Sequence, residues 1–228
     1  MNDKWKKRMT RLFKLRFAVL YPFVVWAIIS SHSTDDSIMS SIWFIIAGLA
    51  IRSWSNCYAI KSSRLTTSGP YAFVRNPLYL GSFLIMAGFL VMLQVPWYIS
   101  LVFIALIIGV VYMLKVRSEQ KSLLDKFGAE YESYFKSVPA FFPTFKPYKG
   151  GEKWGANFGR YFRSQEYKLV IWVIIAAIAF HLKEEFMIEH ESIDAKIVIL
   201  IVVSVLLGLL DVVGEFFRKT NKITADMK

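Results

Sequence analysis

Apolar residues in this chain come in long blocks rather than in an alternating or helical stripe. A hydrocarbon layer about 30 Å thick takes roughly 20 apolar helical residues to cross, with about 17 sufficing. By that measure the pattern predicts spans near 15–31, 38–59, 78–95, 96–114, 168–182 and 197–213. Only "QVP" separates the third and fourth, which predicts a tight helical hairpin. The longest polar stretch, 115–167, follows the fourth block. Its first part, "KVRSEQKSLLDKFGAEYESYFKSV", repeats Leu123, Leu124, Phe127, Tyr131, Tyr134 and Phe135 at intervals of three and four, the spacing of one helix face, and Gly128 marks a helix end or kink. The following "VPAFFPTFKPYKGG" holds three prolines and a double glycine and predicts extended or turned chain. A boundary near 150–156 divides residues 1–150, a four-span module with a cytoplasmic motif region, from 151–228, a two-span C-terminal extension. The fold expected is all-α: a polytopic helical membrane protein of about six transmembrane helices with a cytoplasmic cofactor-binding region.

Composition agrees with the pattern. Of 228 residues, 55 % are hydrophobic, and the mean hydropathy is +0.42, too apolar for an ordinary soluble domain. Charge then orients the spans. With the N-terminus inside, segments 1–16, 52–76, 115–168 and 214–228 hold 26 of the 28 Lys and Arg residues. The outer segments hold only Lys183 and Lys196 and carry Asp35, Asp36, Glu184, Glu185, Glu189, Glu191 and Asp194. Positive residues mark the cytoplasmic side, so both termini are expected there. The net charge of +11 is thereby accounted for by anionic membrane lipids as partners, without nucleic acid. The basic start, "MNDKWKKRMTRLFKLR", resembles a signal-peptide n-region, but no small-residue cleavage site follows and an uncleaved first span is expected. The single cysteine, Cys57, excludes internal disulfides and cysteine metal clusters, and the scattered His32, His181 and His190 form no metal-ligand pattern. No metal is expected.

The polar residues at the membrane boundary carry the chemistry. "GPYAFVRNPLY", residues 69–79, packs two prolines, two phenols, a guanidinium and an amide into the mouth of the third span. Because spans three and four form a hairpin, this loop and "RSEQ", residues 117–120, are expected to face one another at the cytoplasmic surface. Such a pocket opens to lipid on one side and to cytosol on the other, which suits an enzyme bringing a soluble cofactor to a lipophilic acceptor. Each residue also has a plainer role. Arg75 serves as a positive-inside anchor, Tyr71 and Tyr79 as interfacial belt aromatics, Glu119 as an i,i+4 partner of Lys115, and Asn76 as the cap before a Pro77 at the first helical position. Those separate roles leave their joint occurrence across one expected contact unexplained.

"TSGPYAFVRNPLYLGSFLIMAGF", followed about 40 residues later by "RSEQKSLLDKFGAEYESYFKSVPAFFP", resembles the isoprenylcysteine carboxyl methyltransferase and phospholipid methyltransferase superfamily over residues 40 to 145. The resemblance implies a multi-span helical enzyme that binds S-adenosylmethionine without a Rossmann fold, and no Gly-x-Gly-x-x-Gly follows a strand here. It implies Gly69, Pro70, Tyr71, Arg75, Asn76, Tyr79, Glu119 and Gln120 as cofactor-binding residues, with Arg75 and Glu119 catalytic. Three positions depart from the pattern. Asn76 stands where carboxyl methyltransferases have His, as in the phospholipid-methylating branch; Gln120 replaces a second acid; and Ser137, beside Lys136, stands in place of an arginine that holds a prenylcysteine carboxylate. The acceptor is thus left as a lipid amine, a small thiol or a prenylated carboxylate. The alternatives to the enzyme are a non-catalytic membrane protein keeping this fold and a sterol-type membrane reductase.

Overall fold

The computed structural model describes residues 25–26, 29–60, 64–111, 115–187 and 194–226. Among them every regular element is a helix. They are α1 (Asp35–Tyr58), a 3-10 turn (Gly69–Ala72), α2 (Pro77–Met92), α3 (Trp97–Val111), α4 (Arg117–Ser137), α5 (Phe158–Ser164), α6 (Glu166–Met187) and α7 (Ala195–Asp226). Helices therefore lie where the second to sixth apolar blocks predict them. The expected first span, 15–31, falls outside the described residues except at 25–26 and 29–31, and the N-terminus and His190 fall outside them altogether. Two differences are of length: α6 runs 22 residues and α7 32, past the ends of the apolar blocks, because backbone helical hydrogen bonding does not stop where the apolar residues do. The short α5 has no apolar block behind it.

Local chemistry sets the boundaries. Thr34 caps α1, its hydroxyl oxygen accepting from the Ser37 amide at 3.4 Å, and Asp35 and Asp36 place negative charge at the positive end of the helix dipole. Asp194 does the same for α7, accepting from Ile197 N at 2.8 Å. The α2–α3 turn is closed by Gln94 at φ 48°, whose side-chain amide donates to Thr34 at 2.8 Å.

The main interface is α1 against α2. Here Gly48, Gly81 and Gly88 let two backbones meet: a methyl group on Gly81 would stand 2.5 Å from Arg52 Cγ and 2.7 Å from the Gly48 carbonyl oxygen. Small residues play this part in membrane helix pairs, where dispersion rather than water exclusion drives contact. Ile45, Ile85 and Met92 fill the remaining space, and Val173 brings α6 onto the same core. The outward faces are apolar too: Trp43, Trp97, Leu101, Leu206, Leu210 and Val212 are all exposed, the kind of surface that marks contact with a membrane or another protein. Among the described residues, Asp35–Tyr58 and Ala195–Phe216 are long and apolar enough to cross a membrane, while Pro77–Met92 and Trp97–Ile107 are apolar but shorter.

The bundle has two chemically distinct ends. At one, Ser33 N donates to Glu184 at 2.8 Å, and Lys196 pairs with Glu185 at 2.6 Å. This end gathers the acidic segments. At the other lie the C-terminus of α1, the 69–79 loop and the start of α4.

Candidate functional site

The loop between α1 and α2 makes few hydrogen bonds to itself, since Pro70 and Pro77 lack amide hydrogens. Its backbone is satisfied by the proline-rich chain that follows α4. Arg75 N donates to Pro139 O at 2.9 Å, Thr144 N to Phe73 O at 2.9 Å and Tyr148 N to Ala72 O at 2.9 Å. Tyr134 Oη, from α4, donates to Tyr71 O at 2.7 Å. Residues 138–148 thus clasp the loop, and Phe141 also reaches the apolar helix α2, its ring 5.8 Å from that of Phe83. The α4 stripe is what brings this clasp into place: Tyr131, Tyr134 and Val138 are buried against Leu65, with Leu123 and Phe127 packed alongside. Gly128 interrupts the helix at φ 51°, ψ −125°, the kink its position in the stripe predicts, and it lets both halves of the stripe follow the loop.

The expected contact between loop and "RSEQ" segment is present. Tyr79 Oη donates to Glu119 Oε1 at 3.2 Å. Lys115 lies 3.9 Å from the same carboxylate oxygen, so the plain i,i+4 pairing holds as well. Gln120 is half-buried and makes no hydrogen bond among the described residues. Gly69 opens the 3-10 turn at φ 61°, a left-handed conformation that suits glycine, and a Cβ there would stand 2.6 Å from the Tyr58 ring. Pro70 is buried and sits in the first turn of that 3-10 helix.

Asn76 corrects one expectation. It occupies the cap position before Pro77, yet its side chain makes no capping bond. The amide Nδ2 instead donates to Ala140 O at 3.0 Å. A proline at the first helical position leaves one fewer amide to cap, and the clasp offers an unsatisfied carbonyl, so the side chain turns outward to tie it.

Arg75 carries the electrostatics of the site. Its guanidinium stacks over the Phe135 ring, 3.9 Å from the centroid, a cation–π contact. Its Nε and Nη1 are buried and meet no acceptor among the described residues. Two desolvated donors on one cation call for an anionic acceptor such as a carboxylate. Burial raises the Tyr131 phenol above its ordinary range, with the adjacent Arg75 charge pulling it partly back. Burial likewise raises Tyr71, opposed by Arg52 and reinforced by Glu166 and Glu119.

Two further residues, unmarked in the sequence, frame the site. Arg52 on α1 donates through Nε to Glu166 Oε1 at 2.5 Å, and through Nη1 to Leu78 O at 3.0 Å and Ser82 Oγ at 2.6 Å. Its side chain is 19 % exposed and that of Glu166 10 %. One ion pair thus fastens the first turns of α2 and α6 to α1 beside Tyr71. The segment before it is tied down too: Trp154 Nε1 donates to Tyr58 O at 3.0 Å and Asn157 N to Cys57 O at 2.9 Å. In the sequence Arg52 is one more of the cations expected on the cytoplasmic side, and nothing local pairs it with a glutamate 114 positions away.

Set beside known proteins, residues 39–125 match the family model of isoprenylcysteine carboxyl methyltransferases, from α1 into the first half of α4. The nickel-cobalt-cadmium resistance protein NccN of Alcaligenes xylosoxydans xylosoxydans is 30 % identical over 155 residues, covering 64 % of this chain and 71 % of that one. The cobalt-zinc-cadmium resistance protein CzcN of Cupriavidus metallidurans is 28 % identical over 155 residues, 64 % of this chain and 70 % of that one. The protein-S-isoprenylcysteine O-methyltransferase of Rattus norvegicus is 40 % identical over 95 residues, 38 % of this chain and 30 % of that one. No solved structure matches. Glycines that close α1 on α2, the loop with its arginine and the Tyr79–Glu119 contact all lie inside the matched region, and the chain belongs to the isoprenylcysteine carboxyl methyltransferase family and is a methyltransferase.

Proposed function

We propose that this protein transfers a methyl group from S-adenosylmethionine to a lipophilic acceptor drawn from the bilayer, in a pocket between the 69–79 loop and residues 117–120. The observation that carries the reading is Arg75, whose two buried donors without an acceptor among the described residues fit the carboxylate of an amino-acid cofactor. Glu119, exposed and touching Tyr79, is placed to hold an ammonium group or to receive a proton from the acceptor. Gly69, Pro70 and Tyr71 line the pocket, and Asn76, tied to Ala140, keeps Arg75 and Tyr79 in register. Gln120 offers an uncharged partner in place of a second acid. Bound there, the cofactor supplies a methyl group already activated by its sulfonium. The residues of this chain then have to align donor and acceptor and keep water out, and alignment alone lowers a two-body barrier by several kcal/mol. The buried phenols of Tyr131 and Tyr134 close the cytosolic side behind the loop.

The acceptor in this reading is a lipid amine or a small lipophilic thiol rather than a prenylcysteine. A free carboxylate needs a fixed cation. Ser137 Oγ donates to Ser133 O at 2.8 Å, and Lys136 pairs with Glu132 at 2.7 Å, so the residues just after Phe135 offer no uncommitted charge. The assay is transfer of labelled methyl to phosphatidylethanolamine, an alkyl thiol and N-acetyl-farnesylcysteine. Faster transfer to one of the first two is expected; a base-labile ester forming fastest on the farnesylcysteine would refute the acceptor assignment.

In the membrane, residues 1–150 form the methyltransferase module and 151–228 a two-span extension, six spans in all, with both termini cytoplasmic. The acidic and basic ends of the bundle support this arrangement. In a chain with Cys57 replaced by serine, Asp36→Cys should react with an impermeant maleimide from outside the cell and Ser122→Cys only after permeabilisation. Both positions are exposed, and the reverse labelling would contradict the topology.

A further inference from the structure

At the end of α1, on either side of Tyr58 in the chain, Asn56, Ala59, Ile60, Arg160, Arg163 and Ser164 line an open recess of about 270 Å³. No acidic residue lines it, and the nearest acids along the chain are engaged elsewhere: Glu152 with Arg64 at 2.7 Å and Glu166 with Arg52. The two arginines stand one helical turn apart on α5 and so face the same side. Arg160 Nη1 reaches the carbonyls that end α1 only at 3.4 and 3.5 Å, leaving the rest of its fork open. Arg163 makes no hydrogen bond or ion pair among the described residues. Phe158 and Phe162, about one turn apart, are exposed at 72 % and 62 %. A seven-residue helix with bare aromatics and paired arginines suits the zone where acyl chains meet headgroups.

We infer that this recess binds a phosphate group, with the Arg160–Arg163 pair as its clamp, and that its usual source is the headgroup of an anionic phospholipid of the inner leaflet. Guanidinium meets phosphate through two parallel hydrogen bonds. Basic recesses between helices on the cytoplasmic side are where anionic headgroups lodge. The site requires α1 to end at the inner face, as proposed above, and it is independent of methyl transfer, so its test is run on binding alone.

The full chain in neutral detergent is offered equal amounts of phosphatidylglycerol and phosphatidylcholine, and the adducts are counted by native mass spectrometry. A separate arm adds millimolar inorganic phosphate and reads the melting temperature. The wild type should retain phosphatidylglycerol several-fold over phosphatidylcholine. Arg163→Gln should lose most of that preference and Arg163→Lys keep part of it, while Lys121→Gln with Lys149→Gln, which removes two cations elsewhere, should keep it whole. Because Arg160 also touches the end of α1, the comparison rests on Arg163 alone. If inorganic phosphate raises the melting temperature of the wild type but not of Arg163→Gln, and phosphatidylglycerol is not preferred, the clamp stands and its source is soluble phosphate. A lipid preference unchanged in Arg163→Gln, or a wild type that takes neither ligand, overturns the inference.

Discussion

Glu166→Ala should lower the melting temperature in detergent by about 6–12 °C. The size of the effect follows from the burial of its partner. Removing one member of a buried ion pair strands the other and costs about 3–5 kcal/mol when nothing else holds it. Arg52 keeps its bonds to Leu78 O and Ser82 Oγ, which puts the loss near the low end, about 3 kcal/mol. For a chain of this size each kcal/mol moves the midpoint by about 2–4 °C. Glu166→Gln preserves shape and one acceptor and should cost roughly half as much. Arg52 also bonds the first turn of α2, from which Tyr79 projects, so Glu166→Ala should loosen cofactor binding well below the melting point. A midpoint within about 2 °C of wild type would show that the pair is solvated and contributes no more than an ordinary surface bridge.

Gly69→Ala should damage the site more than the fold. At φ 61° an L side chain costs about 1–2 kcal/mol of backbone strain, and the added carbon would sit 2.6 Å from the Tyr58 ring. The ring or the loop must move. Either movement strains the site, since the loop is held through Tyr71 O, Ala72 O and Phe73 O and a shift of the turn pulls on those bonds. Displacing the turn shifts Tyr71 and Arg75 together, and cofactor affinity should fall at least about tenfold, the equivalent of one lost hydrogen bond. Pairing the change with Tyr58→Ala removes the clash and leaves the strain, so the double variant should regain part of the binding. If Gly69→Ala binds as the wild type does, the 3-10 turn does not shape the pocket.

The parts of this architecture that are local in sequence could be read from it. Apolar blocks place five helices, the three-and-four spacing places the α4 face, and Gly128 places its kink. The facing of Tyr79 and Glu119 could also be read, since a three-residue link returns the chain to the side it left. Even so, α2 and α3 pack little beyond their turn, and a cleft lined by Ala87, Val91, Leu101 and Ile104 opens between them. What escaped were contacts between segments with no periodic signature. The 138–148 clasp looks like an uncommitted proline-rich tail, because proline content forecasts extended chain but not which unsatisfied backbone it will serve. Asn76 next to Pro77 has the sequence of a cap; its amide goes to Ala140 because a distant segment outcompetes the local bond. Arg52 is masked by the surplus of Lys and Arg in the polar segments, any of which could anchor a helix, and only the structure shows Glu166 beside it.

The central claim is that the loop and the start of α4 together hold S-adenosylmethionine, and titration calorimetry with its demethylated product S-adenosylhomocysteine tests it most directly. The purified wild type should bind with measurable heat. Arg75→Ala and Glu119→Ala should each weaken binding by about ten- to a hundredfold, the worth of one charge-assisted hydrogen bond of about 1.5–3 kcal/mol, with melting temperatures close to wild type. Binding by the wild type that is unaffected by either change would move the cofactor elsewhere in the bundle, and a folded wild type that gives no binding heat at any temperature tried would contradict the account outright.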